Sequence, residues 1–198
     1  MKVLVIDVEA SGANKANPFG RSNKLACVGL FDGVTYTYVD IEHSGLPYNT
    51  NLELVSQKIK ESELLIGHNI KYDIHWLRRY IPNLIIDSVW DTQLFEYMAS
   101  NQTWIMPSLN DSLIYHGLPG KSDLIATEYW DKGLSTLDIP QPLLKEYNEG
   151  DCQGTYLLYQ CQIALQRENT KALFQLHCDD LLVLEEMEHN GLIFSEEE

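Results

Sequence analysis

The residues Lys2 to Glu9 form a run of aliphatic and β-branched side chains that ends in two acids. Such a continuous apolar run is typical of a strand buried on both faces, at the centre of a sheet. Asp7 and Glu9 are separated by one residue, so on a strand their side chains leave the same face. Two carboxylates at the end of a buried strand are costly to desolvate unless a cation neutralises them. A divalent ion such as Mg²⁺, which prefers oxygen ligands, is the candidate cation. Taken alone, the pair is also compatible with a strand that emerges into solvent at Asp7.

The remaining pattern predicts an α/β fold with a mixed sheet, because a hairpin is followed by alternating helices and strands. The hairpin is predicted around Asp32-Gly33, a strong turn signal. Further strands are predicted at Leu64–Ile66 and Leu84–Ile86. The segments predicted to be helical are Asn51–Ser62, Ile70–Tyr80, the helix opened by Asp91-Thr92, Pro107–Tyr115, Gln141–Ala164 and two further turns that stop at Asn190-Gly191. Residues 118–139 are predicted to hold loops with a short helix.

Charge and length exclude several classes of protein. The chain has 198 residues, with 14 Lys and Arg against 29 Asp and Glu, for a net charge of −15. This balance argues against a large basic nucleic-acid surface, although it leaves open a site where carboxylates hold metal ions. The length suits one domain, or one domain and a short piece of another. With no run of about eighteen apolar residues, no membrane span or membrane partner is expected. The four cysteines form no CxxC pair, which favours a reduced intracellular compartment.

A second candidate cluster lies where a predicted strand runs into a helix, at Gly67–Asp73. Asn69 is placed to cap that helix, and Asp73, one turn further on, faces back towards the strand ends. The alternative is an ordinary helix start with an exposed acid in its first turn, which the helix dipole favours. His68 and His75 flank Asp73, and we interpret them as a helix start with a surface histidine rather than as a transition-metal site.

A third cluster lies in the long helix near the C-terminus. Tyr147 and Asp151 are four residues apart and therefore lie on one face of a helix. A phenol beside a carboxylate can orient a water molecule, and Gly150 leaves space beside the acid. The alternative is an amphipathic helix with a buried tyrosine and a solvated aspartate.

Together, the motifs D-x-E, N-x-x-Y-D and Y-x-x-x-D, in this order, resemble those of the DEDD exonuclease superfamily in its tyrosine-containing branch. The resemblance implies a ribonuclease H-like fold, a mixed sheet flanked by helices. It also implies that two Mg²⁺ ions, for which Mn²⁺ can substitute, are bound by four carboxylates, those of Asp7, Glu9, Asp73 and Asp151. By the same resemblance Tyr147 positions the attacking water.

Further segments are similar to the proofreading domain of family A DNA polymerases. These are Asp91–Leu94, Pro107–Leu109 and the stretch Leu181–Gly191, so that the resemblance covers essentially the whole chain. It implies a 3′–5′ exonuclease domain over residues 1–165 and a helical segment, 166–198, that leads into a polymerase domain of the same parent chain. The short lead-in before the first strand resembles bacteriophage enzymes, which would act in the cytoplasm of the host cell.

The substrate implied by this resemblance is a single-stranded DNA 3′ end, shortened to 5′-mononucleotides. Asn69, Tyr72 and Ala10 are then expected along the bound strand. Many relatives have Thr at the position of Ala10, so a hydroxyl contact to the strand is missing here. A processivity factor is a further candidate partner. Two alternatives remain open: an exoribonuclease with the same motifs, and a non-catalytic module that positions DNA or a partner protein.

Overall fold

A computed structural model of the chain describes residues 1–12, 16–43 and 49–191, with the backbone alone at 49–51. The described residues contain one mixed sheet with the strands β1 (Val3–Ser11), β2 (Lys24–Phe31), β3 (Tyr36–Asp40), β4 (Leu64–Gly67) and β5 (Val89–Asp91). Their order across the sheet is β3-β2-β1-β4-β5. β2 is antiparallel to β1 and β3, whereas β4 is parallel to β1 and to β5. The strand predicted to be central, β1, is therefore central.

Helices flank this sheet. They are α1 (Asn49–Glu61), α2 (Ile70–Tyr80), α3 (Thr92–Ala99), α4 (Leu109–Tyr115), α5 (Leu124–Glu128), α6 (Gln141–Leu165) and α7 (Glu168–Asn190). Two short 3₁₀ turns, Trp130–Lys132 and Thr136–Asp138, connect α5 to α6. The segment 118–139 thus contains loops and a short helix, as predicted. Within the described residues, no helix combines the length and apolar character needed to cross a bilayer.

The prediction of a strand at Leu84–Ile86 is wrong. That segment is irregular, and the strand lies further along the chain, at Val89–Asp91. Leu84 is buried but Ile85 is 75% exposed, so only part of this apolar triplet lies in the core. The strand that lies parallel to β4 on this side is instead β5, in which Val89 pairs with Leu65.

The C-terminal helix is longer than predicted. In place of two further turns, α7 is continuous over Glu168–Asn190. Phe174 and Cys178 are buried on one face of α7, four residues apart. The ring of Phe174 lies 4.6 Å from that of Trp90 and 5.4 Å from that of Phe95. Through these contacts α7 joins the hydrophobic core of the sheet.

Close approach of α6 to the sheet depends on a glycine. Gly29 of β2 pairs with Asp7 of β1. A Cβ atom at Gly29 would overlap the side-chain amide of Asn148 and lie 2.8 Å from Sγ of Cys152, both on α6. Because glycine has no Cβ, α6 can lie directly on β1 and β2 at the point where the first acid emerges.

Candidate active site

Three of the predicted acids converge at the end of β1. Asp7, Glu9 and Asp151 each offer a carboxylate oxygen, and these oxygens lie within 4.8 Å of one another. Glu9 and Asp151 are buried and Asp7 is half-buried. The pair on β1 shares one face, as the spacing predicts, and α6 brings Asp151 onto that face. Oxygen ligands at this spacing suit a site for hard divalent cations.

Asp73 lies beside this group and is tied to β1 by a backbone contact. Its Oδ1 accepts a hydrogen bond of 2.9 Å from the N–H of Val8, the residue between Asp7 and Glu9. Asp73 is buried, and its pKa is raised well above the usual value by burial and then by the charge of Asp7. The alternative of an exposed first-turn acid therefore does not hold for Asp73.

The carboxylates are held in an environment that disfavours their charged forms. The pKa of Asp7 is raised from 3.8 to about 8, first by burial and then by the charge of Asp151. Burial and the charge of Asp7 likewise raise the pKa of Glu9 well above its usual value. The charge of Lys121 acts in the opposite direction and lowers the pKa values of Asp7 and Asp151. A cation at this position would therefore relieve both desolvation and mutual repulsion.

Lys121 already supplies one positive charge to the site. Its Nζ lies 2.5 Å from Oδ2 of Asp151 and 4.9 Å from the ring centroid of Tyr147. Burial alone would lower the pKa of Lys121, but the neighbouring charge of Asp151 raises it, so the ammonium form is retained. Sequence reasoning missed Lys121. It lies in the segment 118–139, where no periodic pattern relates it to α6.

Asn148 is a second residue that sequence reasoning did not assign. Its Nδ2 donates a hydrogen bond of 2.6 Å to Oδ2 of Asp7, and its Oδ1 accepts one of 2.7 Å from the hydroxyl of Tyr36. Asn148 is fully buried and holds Asp7 in place. The sequence pattern of α6 could have identified it. Asn148 lies four residues after Leu144 and four before Cys152, so a polar amide occupies the otherwise apolar, buried face of the helix.

Tyr147 lies where the predicted helix places it, one turn before Asp151. Its ring meets Trp130 edge-on at 5.6 Å between centroids. Burial and the charge of Asp151 raise the pKa of Tyr147, so the hydroxyl keeps its proton and can donate a hydrogen bond. A cavity of about 490 Å³ is lined by Tyr147, Gly150, Asp151 and Lys121, among others. The expected space beside the acid is present, because a Cβ at Gly150 would meet no atom of the described residues within 4 Å.

Two of the expected substrate residues line a groove next to the acids. This groove, of about 540 Å³, includes Glu9, Ala10, Tyr72 and Trp130 in its wall. Tyr72 donates a hydrogen bond of 3.1 Å from its hydroxyl to the carbonyl of Ala16. The side chains of Tyr72 and Trp130 present aromatic surface beside Glu9, which suits contact with a nucleobase.

Asn69 does not cap α2 in the way predicted. It occupies the position before the helix with φ 62° and ψ 47°, and its side chain makes no capping hydrogen bond. Oδ2 of Asp91 instead accepts a bond of 3.0 Å from the N–H of Ile70, and its Oδ1 accepts from the N–H groups of Gln93 and Leu94 at 2.9 and 3.0 Å. Asp91, which opens the helix predicted after it, therefore caps α3. Because β4 and β5 are parallel neighbours, the same carboxylate also caps α2, which carries Asp73.

Sequence comparison places the chain near a phage polymerase, and no protein-family model matches it. The chain is 28% identical over 168 residues to a DNA polymerase of Bacillus phage SP01. That match covers 78% of this chain but 18% of the polymerase. The chain therefore spans less than a fifth of the length of this relative.

Solved structures match over nearly the whole chain. NrnC of Brucella melitensis with bound Mg²⁺ gives a TM-score of 0.68 at 18% identity, over 98% of this chain and 90% of that one. RNase D of Trypanosoma brucei gives a TM-score of 0.72 at 14% identity, over 100% of this chain and 69% of that one. Structures of NrnC bound to pGG and of the T. brucei enzyme in complex with RNA U12 match as well. The chain thus has the fold of NrnC and RNase D, a ribonuclease H-like mixed sheet flanked by helices.

Proposed function

We propose that the chain is a metal-dependent 3′–5′ exonuclease that removes 5′-mononucleotides from single-stranded DNA 3′ ends, as the proofreading domain of a DNA polymerase. The observation that carries this proposal is the convergence of the carboxylate oxygens of Asp7, Glu9 and Asp151 within 4.8 Å of one another. Asp73, tied to the backbone of Val8 between the first two acids, completes the group of four.

The donor set fits hard divalent cations. We assign Asp7, Glu9, Asp73 and Asp151 as ligands of two Mg²⁺ ions, for which Mn²⁺ can substitute. All four offer carboxylate oxygens, and burial raises their pKa values because their charged forms are poorly solvated. A divalent cation would relieve this desolvation and the mutual repulsion of the deprotonated carboxylates. When bound, such a pair of ions supplies a water of lowered pKa and stabilises the departing 3′ oxygen.

Three further residues of the chain would orient the attacking water and the ligand oxygens and balance the charge of the site. The protonated hydroxyl of Tyr147 donates a hydrogen bond that orients the attacking water beside Asp151. Asn148 holds Asp7 through Nδ2 and thereby fixes the direction of one ligand oxygen. Lys121 neutralises Asp151 before metal binds. In the metal-bound protein, the ammonium of Lys121 would be available to the phosphate. No covalent intermediate is needed.

Single-stranded DNA is the proposed substrate, and the match to a phage DNA polymerase supports it. The terminal nucleotides would occupy the groove beside Glu9, in contact with Tyr72, Trp130 and Ala10, with Asn69 also contacting the strand. In the parent protein, the helical segment 166–198 would lead into a polymerase domain that holds the duplex, in the cytoplasm of the host cell. Of this segment, residues 192–198 lie outside the described part of the chain. A processivity factor would be a further partner of that parent protein.

An exoribonuclease is the second candidate. It is favoured by the similarity of fold to NrnC, which was solved with pGG, and to an RNase D solved with RNA U12. The same acids would serve both substrates, because the metal-dependent chemistry at phosphorus does not involve the 2′-hydroxyl. The side chains lining the groove beside Glu9 would decide between the sugars.

The two candidates are separated by incubating 5′-end-labelled single-stranded DNA and RNA of one sequence with the protein and Mg²⁺. We expect a ladder shortened from the 3′ end of the DNA, with release of 5′-mononucleotides, and no reaction in excess chelator. Asp151→Asn should be slower by at least about 10²-fold, whereas Glu146→Gln, at an exposed position on the same helix, should match wild type. Faster RNA shortening would favour the exoribonuclease, and no hydrolysis of either strand would overturn both.

A further inference from the structure

A second group of potential ligands lies between α2 and α7, away from the acids of β1. His75 of α2 and both Glu185 and His189 of α7 offer ligand atoms within 4.8 Å of one another. The side chains of His75 and Glu185 are 5% and 0% exposed, whereas His189 is exposed. The expectation of a surface histidine is therefore wrong for His75, because α7 covers it. Glu185 and His189 are four residues apart and share one face of α7.

The two buried atoms at the centre of this group make no hydrogen bond within residues 1–12, 16–43 and 49–191. They are Nδ1 of His75 and Oε1 of Glu185, which lie 3.2 Å apart. A buried polar atom left without a partner costs about 1–3 kcal/mol. Two ligand atoms bound to one tetrahedral Zn²⁺, at bond lengths of about 2.0–2.1 Å, are separated by about 3.3 Å. The observed separation matches a pair of metal ligands.

The outer contacts of both residues have the arrangement seen around metal-bound side chains. Nε2 of His75 lies 2.9 Å from Oε2 of Glu188, so an N–H on Nε2 can donate to a carboxylate. That bond selects the tautomer whose Nδ1 carries a free lone pair. Oε2 of Glu185 accepts a hydrogen bond of 2.7 Å from Nε of Arg78, which leaves Oε1 as the available ligand atom.

We propose that His75, Glu185 and His189 form a site for a zinc-type transition-metal ion that clamps α7 onto α2. Two imidazoles and a carboxylate suit Zn²⁺ or Co²⁺, whereas the all-carboxylate group on β1 suits Mg²⁺. The two sites are distinct. His75 and Asp73 are two residues apart on α2, so their side chains point about 200° apart around the helix. The ion would hold the C-terminal helix on the helix that carries Asp73.

Metal titration of the stripped protein tests this proposal. The Asp151→Asn variant serves as background, so that binding at the acids of β1 is weakened. After chelator treatment and desalting, Co²⁺ is added and followed by visible absorption, and Zn²⁺ by calorimetry. We expect one equivalent of either ion, intense d–d bands of low-coordinate Co²⁺, and a melting temperature that rises with Zn²⁺.

His189→Ala in the same background should weaken Zn²⁺ binding at least about tenfold and abolish the Co²⁺ bands. Because His189 is exposed, this variant should keep the wild-type circular dichroism spectrum. His177→Ala, on the same helix but outside the group, is the matched control and should bind as the background does. Unchanged affinity in His189→Ala, or no stoichiometric Co²⁺ bands in the background, would overturn the proposal.

Discussion

Lys121 places its ammonium nitrogen 2.5 Å from Oδ2 of Asp151, an oxygen that we assign to a metal ion. On that assignment, Lys121 and a divalent cation would compete for the same carboxylate. The side chain of Asp151 is 7% exposed, so without either cation its charge would be poorly solvated. This contact makes Lys121 a counter-ion of the metal-free state.

Replacing Lys121 by methionine should tighten Mg²⁺ binding several-fold. The substitution removes a competitor for Asp151 and makes the site more negative, and both effects favour a divalent cation. In the absence of metal the variant should be less stable than wild type at neutral pH, because a buried charge loses its partner. Isothermal calorimetry with Mg²⁺ and thermal unfolding in chelator measure the two effects.

Lys132→Met is the matched control for Lys121→Met. Lys132 lies in the same connecting segment, is exposed and pairs with Glu128. Its loss should change neither Mg²⁺ affinity nor stability by a measurable amount. Weaker Mg²⁺ binding in Lys121→Met would show that the lysine supports the metal site rather than competing with it.

Asp151→Asn should reduce hydrolysis of single-stranded DNA by on the order of 10²–10³-fold or more, the loss that follows removal of one stabiliser of developing charge. Its metal-free fold should persist, because the loss of the charge pair with Lys121 is offset by removal of a carboxylate that repels Asp7. Single-turnover rates and urea unfolding in chelator check both statements. Wild-type activity, or a variant that does not fold, would contradict the assignment of Asp151 as a ligand.

Tyr147→Phe should lower the rate by roughly 10²-fold, at the lower end of the range for a group that positions a proton or a water. The loss should be smaller than in Asp151→Asn, because the metal ligands stay in place. Substrate KM should change little, since the hydroxyl acts on the water and not on the strand. An unchanged rate at neutral pH would remove the hydroxyl from the mechanism.

Metal-free protein should lose stability as pH rises from about 4 to about 8. The pKa of Asp7 is 3.8 in the unfolded chain and about 8 in the fold, so the fold favours the protonated form. The stabilising contribution is fully present below 3.8 and is lost as pH rises through about 8. One such proton changes the free energy of unfolding by at most about 1.4 kcal/mol per pH unit.

Asp7→Asn isolates this proton, because the amide does not titrate. Relative to wild type in chelator, the variant should gain stability as pH rises from 5 towards 9. Urea unfolding at several pH values measures the difference, and saturating Mg²⁺ should raise the stability of wild type at pH 8. A constant difference between the two proteins across this range would contradict the raised pKa of Asp7.

Phe174→Ala should destabilise the whole domain by about 3–5 kcal/mol, the cost of removing a buried aromatic side chain. Phe174 is 4% exposed and packs on Trp90, so α7 contributes to the core under the sheet. Leu173→Ala, at a neighbouring position that is 50% exposed, should change stability by less than about 0.5 kcal/mol. Two separate unfolding transitions in the wild type would instead indicate that the segment from residue 166 folds independently.

The sequence by itself determined the local elements that carry the acids. The apolar run of β1, the periodicity of α2 and the length of α6 depend on neighbouring residues, and all three agree with the structure. The spacing of Asp7 from Glu9, and of Tyr147 from Asp151, then placed each pair on one face, because strand and helix periods are fixed by backbone geometry.

Only the tertiary structure decided which residues meet across those elements. Local pattern does not encode whether Leu84 or Val89 begins the strand beside β4, nor that Asp91 caps the helix of Asp73. Lys121 reaches Asp151 because an aperiodic segment folds back onto α6. These outcomes depend on packing between segments far apart in the chain, where a contact is selected by the shape and charge of both partners together.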